Sequence, residues 1–230
     1  MRTRIKICCI GSMEEAWLAI RCGADAIGLV GVSPSTPRTM DDHAIATIAS
    51  RVPPPIASFL LTSKLTAQSI AEHVRKTGPS VVQIVSQIDP AESERLADLL
   101  PTTRRVQVIH VEDERALDLR PNYASQVHAF LLDSGRPDLP IPEYGGTGRL
   151  HDWTVSAEFV RRSSRPVFLA GGLSPYNVGE AIRRVRPFGV DLCSGVRTHG
   201  RLDHAKLVAF IDAVRSADAI VDRQPQKPLE

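Results

Sequence analysis

The chain has 230 residues, 43% of them hydrophobic, and a formal net charge of +2. That length suits one large domain with a substantial core, and the near-balance of charge excludes an electrostatic nucleic-acid binder. No stretch reaches the ~20 apolar residues of a membrane span. The N-terminal MRTRIKICCI lacks the apolar run and small-residue cleavage site of a signal peptide. Cys8, Cys9, Cys22 and Cys193 form no CxxC pair, so they are read as reduced thiols of a cytoplasmic protein and not as a zinc site.

Apolar strand-like runs alternate with helical patterns about eight times. The first strand is predicted over 5–10, and Ser12 opens a helix to about Cys22, with Glu15 at capping-box spacing. Gly23 ends that helix and a second strand covers 26–30. The helix over 41–50 begins with two aspartates that suit its N-terminal dipole. Then come strand 55–61, helix 67–76, strand 80–85 and a proline-initiated helix over 90–100. Strand 104–111 precedes a weak short helix over 112–120, and strand 128–133 leads into the longest loop. Helix 154–162, strand 165–172, a capped helix over 174–185, strand 188–195 and helix 204–216 complete the series. Residues 221–230 read as a polar, disordered tail.

Strands alternating with helices pair in parallel through right-handed crossovers. Eight such units predict one α/β domain over 1–220, a single (β/α)8 TIM barrel. The structural competitor, a doubly wound open sheet, would want a glycine-rich phosphate turn after its first strand, where this chain has CCIGS.

In such a barrel the active site forms where strands end and βα loops begin. On the first strand Ile5 and Ile7 share one face, and Lys6 and Cys8 share the other. The apolar pair suits the helix side, which directs Lys6 and Cys8 inward. A cation two residues from a thiol favours thiolate, the form that acts as a base; a buried cysteine can equally be a small apolar filler. Asp133 ends the apolar run 129–132, where a carboxylate is costly unless it is used or paired. Partial burial would raise its pKa towards that of an acid working near neutrality; its other role is to cap the loop that follows. Arg38 follows strand two, Gln83 lies on strand four and Asp191 on strand eight. Arg38 is either a ligand-facing guanidinium or a surface residue after a proline turn. Three glycine-bearing segments could hold phosphate: 145–148, Gly171–Gly172 and Ser194–Gly195. The first is also a candidate lid.

From Ile5 to about Phe210 the chain resembles phosphoribosylanthranilate isomerase of tryptophan biosynthesis. The residues that carry the likeness are KIC at Lys6–Cys8, GADAIGLV at Gly23–Val30, PR at Pro37–Arg38, VVQ at Val81–Gln83 and LLDS at Leu131–Ser134. GGTG, Asp152-Trp153, PVFLAGGLSPYNV and GVDLCSGV follow in order. The resemblance implies an Amadori rearrangement of N-(5-phosphoribosyl)anthranilate to 1-(2-carboxyphenylamino)-1-deoxyribulose 5-phosphate, with no metal or organic cofactor. It implies Cys8 as the general base at C2′ and Asp133 as the general acid at the ribose ring oxygen. Arg38 would hold the anthranilate carboxylate, Lys6, Gln83 and Asp191 would meet the polar centre of the substrate, and Gly171, Gly172, Ser194 and Gly195 would hold the phosphate. The partner is then a small sugar phosphate; for a barrel of this size the default expectation is a monomer.

Four departures stand out. Cys9 replaces the usual glycine after KIC, and Gln83-Ile84-Val85-Ser86 replaces the usual QLHG. The strand-two loop is one residue longer, and Cys193 and Arg197 stand where the family mostly has serine and glutamate. These changes gather in the aglycone half of the expected site. They leave open a paralogue acting on another aminoaldose phosphate, and a non-catalytic phosphate-binding barrel. Indoleglycerol-phosphate synthase, another phosphate-binding barrel, would need lysine acids at strand ends, and only Lys6 lies on a predicted strand.

Overall fold

The computed structural model describes residues 2–33, 38–137, 139–140, 142–145 and 148–221; the tail over 222–230 and Gly146-Thr147 of the GGTG segment lie outside the described residues. Eight parallel strands close into a barrel in chain order: β1 (Arg4–Ile7), β2 (Ala26–Val30), β3 (Ala57–Thr62), β4 (Val81–Ile84), β5 (Arg104–His110), β6 (Ala129–Asp133), β7 (Val167–Leu169) and β8 (Gly189–Leu192). The seam pairs Lys6 with Asp191 and Ile7 with Leu192. Helices α1 (Met13–Cys22), α2 (Asp42–Ala49), α3 (Ala67–Thr77), α4 (Pro90–Leu99), α5 (Ala116–Tyr123), α6 (Trp153–Arg162), α7 (Val178–Val185) and α8 (His204–Val221) follow the strands in turn.

Period-two alternation divides the apolar residues into two cores. Ile5, Ile7, Ile27, Leu29, Leu60, Val82, Phe130 and Val190 face the helices and pack with Phe159, Phe210 and their neighbours. Phe59, Val81, Val106, Leu131 and Phe168 fill the barrel interior, where Phe168 meets Phe59 edge-on at 6.0 Å. Lys6 and Cys8 therefore share the inner face, as their spacing predicts.

Elements differ from expectation where the chain leaves the ladder to build loops. Strand seven, expected over 165–172, is only Val167–Leu169. Helix α7 starts at Val178 and not at 174, because the Ser174 amide donates to Asn177 Oδ1 (2.8 Å) and Asn177 Nδ2 donates to the Gly172 carbonyl (3.0 Å), forming a separate turn. The capping box at α1 is half-made: Ser12 Oγ accepts from the Glu15 amide at 3.2 Å, but the Glu15 carboxylate accepts from the Gly11 amide at 3.0 Å and reaches onward. Two short strands absent from the sequence reading, β9 (Arg197–Thr198) and β10 (Arg201–Leu202), form a hairpin whose turn holds His199 and Gly200, both with positive φ. A two-residue turn of that kind needs left-handed backbone, which glycine supplies at least cost.

At the N-terminal end of the barrel the first strand is tied to the last helix. The Thr3 amide and hydroxyl donate to the Asp218 carboxylate at 2.9 and 2.6 Å. The end of a barrel opposite the βα loops serves stability, and the loop end serves chemistry. Asp218→Ala is therefore expected to cost ~1–3 kcal/mol in urea unfolding. Amide exchange at the opposite rim, around Cys8, should stay at the wild-type rate.

Candidate active site

Inward-facing residues at the C-terminal ends of the strands surround a cleft with about 840 Å³ of space, open at the barrel mouth. Cys8, Gln83, Asp133, Asp191, Gly171, Gly172 and Ser194 line it, and Arg38 lies at its rim with Nη1 3.8 Å from Cys193 Sγ. Two of the residues singled out from sequence do not line the cleft. Lys6 is wholly buried one layer below, and Gly195 lies against the Leu173 carbonyl, so close that a Cβ there would collide with it. The strands explain the first: Lys6 is two residues, about 7 Å, deeper than Cys8 on the same face.

Lys6 Nζ stands 3.0 Å from Asp191 Oδ1, with both side chains buried, and 5.2 Å from the centre of the Phe59 ring. Burial works against the ammonium, but Asp191 and the Cys8 thiol outweigh it and hold Lys6 protonated, above the ordinary lysine pKa. Burial lifts Asp191 above the usual carboxylate range, and Lys6 pulls it part of the way back. Across the cleft, burial raises Asp133 from the ordinary aspartate value to about 7. The Ser134 amide, donating at 2.7 Å, and the Lys6 charge oppose that rise, while Asp191 adds to it. Two carboxylates in one cleft thus differ in role: one is salt-bridged, the other holds a proton near neutrality.

Room for the Cys8 side chain comes from strand two. A Cβ on Gly28 would fall 2.7 Å from Cys8 Sγ and 3.0 Å from Lys6 Nζ. Sequence periodicity shows no reason for a glycine in mid-strand; a close approach from the neighbouring strand is one. The next residue, Cys9, has φ +59°. Left-handed backbone at a side-chain-bearing residue is strained, so the family glycine has been replaced at the position that suits glycine best. The Cys9 thiol bonds to Cys193 and Cys8, which with burial lifts its pKa well above the ordinary thiol value. That bond to Cys9, with Arg197 and Arg38 nearby, overcomes burial and brings Cys193 down to about 7.

Between β6 and α6 the loop returns over Asp133: a Cβ on Gly145 would collide with the Asp133 carboxylate, and Tyr144 joins the wall. Gly171 and Gly172 continue a wall of bare backbone after β7. His151 stands behind it, its Nε2 2.7 Å from Ser156 Oγ, and burial holds its pKa down to about 4. Sequence reasoning missed Tyr144, His151, Gly28 and the bonding role of Glu15. Tyr144 and His151 lie in a loop without periodicity, and the other two act through contacts far apart in sequence.

A carboxyl group whose folded pKa is raised costs stability once it ionises. The penalty at Asp133 is absent below about pH 4, grows as pH rises, and is complete above about 7. Asp133→Asn should therefore be more stable than wild type by ~1–3 kcal/mol at pH 8, with the gap closing towards pH 4, as read by urea melts across that range.

A family model described as N-(5'-phosphoribosyl)anthranilate (PRA) isomerase matches residues 5–213. The chain is 38% identical to N-(5'-phosphoribosyl)anthranilate isomerase 2 of Methanosarcina mazei, over 93% of this chain and 94% of that one. It is 35% identical to the isomerase of Haloarcula marismortui, over 94% and 97%. Among solved structures, phosphoribosyl anthranilate isomerase of Thermotoga maritima superposes with a TM-score of 0.80 at 28% identity, covering 93% of this chain and 99% of that one. An isomerase bound to reduced 1-(o-carboxyphenylamino)-1-deoxyribulose 5-phosphate gives 0.77 at 26% identity, with the same coverage. Barrel, cleft and matched length agree, and this chain belongs to the N-(5'-phosphoribosyl)anthranilate isomerase family.

Proposed function

We propose that the protein is a phosphoribosylanthranilate isomerase that uses Cys8 as its base and Asp133 as its acid. One observation carries this reading. A single cleft holds a thiol immediately after β1 and, three strands away around the ring, a carboxyl group with a pKa near neutrality. An Amadori rearrangement needs one group to give a proton and another to take one, on different sides of the sugar.

In this scheme Asp133 protonates the ribose ring oxygen as the C1′–O bond breaks, and the anthranilate nitrogen lone pair forms a C1′=N iminium. The Cys8 thiolate takes the C2′ proton, and the electron pair moves to C1′=C2′. The resulting enolamine tautomerises to the aminoketose. Atoms and electrons balance without an external oxidant or reductant, so the reading calls for no cofactor. Gln83 Oε1 is buried without a hydrogen-bond partner among the described residues and can accept from a sugar hydroxyl. Asp191, held by Lys6, faces the same centre. The glycine wall at Gly171–Gly172, with Ser194, leaves room for the phosphate, and Arg38 at the rim suits the anthranilate carboxylate. Lys6 and Gly195 act from behind the wall. The cleft is completed within one chain, and four free thiols fit a reducing compartment, which supports a monomer in the cytoplasm.

The test is turnover of N-(5'-phosphoribosyl)anthranilate by the purified protein. Cys8→Ser is expected to lower kcat by roughly 100- to 10,000-fold with an unchanged circular dichroism spectrum. The acid must be protonated to act, so kcat/KM should fall as pH rises through about 7. A well-folded wild-type protein with no turnover sinks the reading. Cys9 and Cys193 line the aglycone half of the cleft, so other aminoaldose phosphates would be assayed next.

Arg38 separates binding from chemistry. A carboxylate gripped equally in ground and transition states affects KM alone. Arg38→Ala should raise KM on the order of tenfold with kcat nearly unchanged, and Arg38→Lys should restore only part of the loss because the planar fork is gone. A change confined to kcat would remove Arg38 from the binding site.

A further inference from the structure

Arg197 is a buried cation that the scheme above does not use. Its guanidinium ties the turn that follows β1 to Glu15 and to the β9–β10 hairpin. Nη2 donates to the Cys9 carbonyl at 2.6 Å and to the Cys8 carbonyl at 3.4 Å, while Nη1 donates to the Gly200 carbonyl at 3.0 Å. Both nitrogens reach the Glu15 carboxylate, at 2.8 and 3.1 Å. Glu15 also accepts from the amides of Gly11 (3.0 Å) and Leu202 (2.9 Å). The turn over 8–11 is thus held at its carbonyls by Arg197 and at an amide by Glu15. The pair itself is bound to the β9–β10 hairpin.

The turn has reason to need holding. Cys9 sits at φ +59°, where a residue with a Cβ is disfavoured against ordinary extended backbone. Relaxing that residue would swing the Cys8 backbone, and Cys8 Sγ has little freedom to move: it already fills the space left by Gly28. A base displaced by even an ångström loses much of its effect on rate.

We propose that Arg197, braced by Glu15, is a positioning residue for Cys8: its bonds to the Cys8 and Cys9 carbonyls hold a strained turn in the conformation that aims the thiol into the cleft. The inference rests on the reading of Cys8 as the base. It explains two departures from the family pattern together, since a residue other than glycine at position 9 is tolerated where an arginine at position 197 holds it.

Removing the strain should make the clamp dispensable, and that is the test. Arg197→Met is expected to lower kcat on the order of 10- to 100-fold while KM stays within about twofold. Arg197→Lys should fall between, because an ammonium has three donors and no planar fork with which to reach three carbonyls and both carboxylate oxygens. Cys9→Gly alone sets the reference rate against which the double variant is read. In the Arg197→Met background it should recover about tenfold, a coupling of about 1.4 kcal/mol. Amide exchange at Cys9 and Ile10 should quicken in Arg197→Met and slow again in the double variant. Should Arg197→Met fail to fold, Glu15→Gln weakens the same clamp and replaces it throughout. The proposal is overturned if kcat survives loss of the clamp, if Cys9→Gly gives no recovery, or if a Cys193→Ser variant reproduces the whole effect. If the wild-type protein shows no turnover, the functional reading fails on its own. Exchange over 8–11 still decides whether the clamp exists: faster exchange supports it, unchanged exchange refutes it.

Discussion

Lys6 and Asp191 meet where the first strand joins the last, and their charges are buried together inside the barrel. Neither is tolerable there alone: leaving one unpaired costs ~3–5 kcal/mol. The pair therefore fixes the register of the seam, and the register sets everything above it. One layer up on the same inner face come Cys8 from β1 and Cys193 from β8. On the far wall Asp133 feels both charges, Asp191 raising its pKa and Lys6 lowering it. The chemistry of the cleft is laid over an electrostatic floor that meets it through Asp191, while Lys6 stays below.

Most of the barrel is legible in sequence because closure demands it. Alternating apolar faces, capping residues and breakers mark all eight strand–helix units, and Lys6 and Cys8 could be sent inward from parity alone. Strand ends were less legible. The runs at 165–172 and 188–195 look continuous, yet each stops short when glycines and side-chain bonds such as Asn177 to Gly172 draw the backbone away. Local pattern does not contain the partner that ends a strand.

The cleft divides along the same line. Asp133, Gln83 and Asp191 sit on strands and Cys8 directly follows one, so parity and position announce them. Tyr144 sits in a loop, and Gly28 matters only because of a sulfur on the neighbouring strand. Glu15 is the most instructive case. Its spacing from Ser12 predicts a reciprocal cap, and half of that cap forms. Its carboxylate is drawn instead to a guanidinium 182 residues away, since a charged, buried donor outbids a local amide.

That long reach orders events as the chain is made. Synthesis runs from the N-terminus, and the turn carrying Cys8 leaves the ribosome well before β8 and the β9–β10 hairpin. Its bonds to Arg197, and those of its brace Glu15 to Leu202, cannot form until the far end of the chain follows. For most of translation the two adjacent thiols have neither strand β8 beside them nor a clamp on their carbonyls. The turn around Cys8 is thus made long before the residues that fix its geometry.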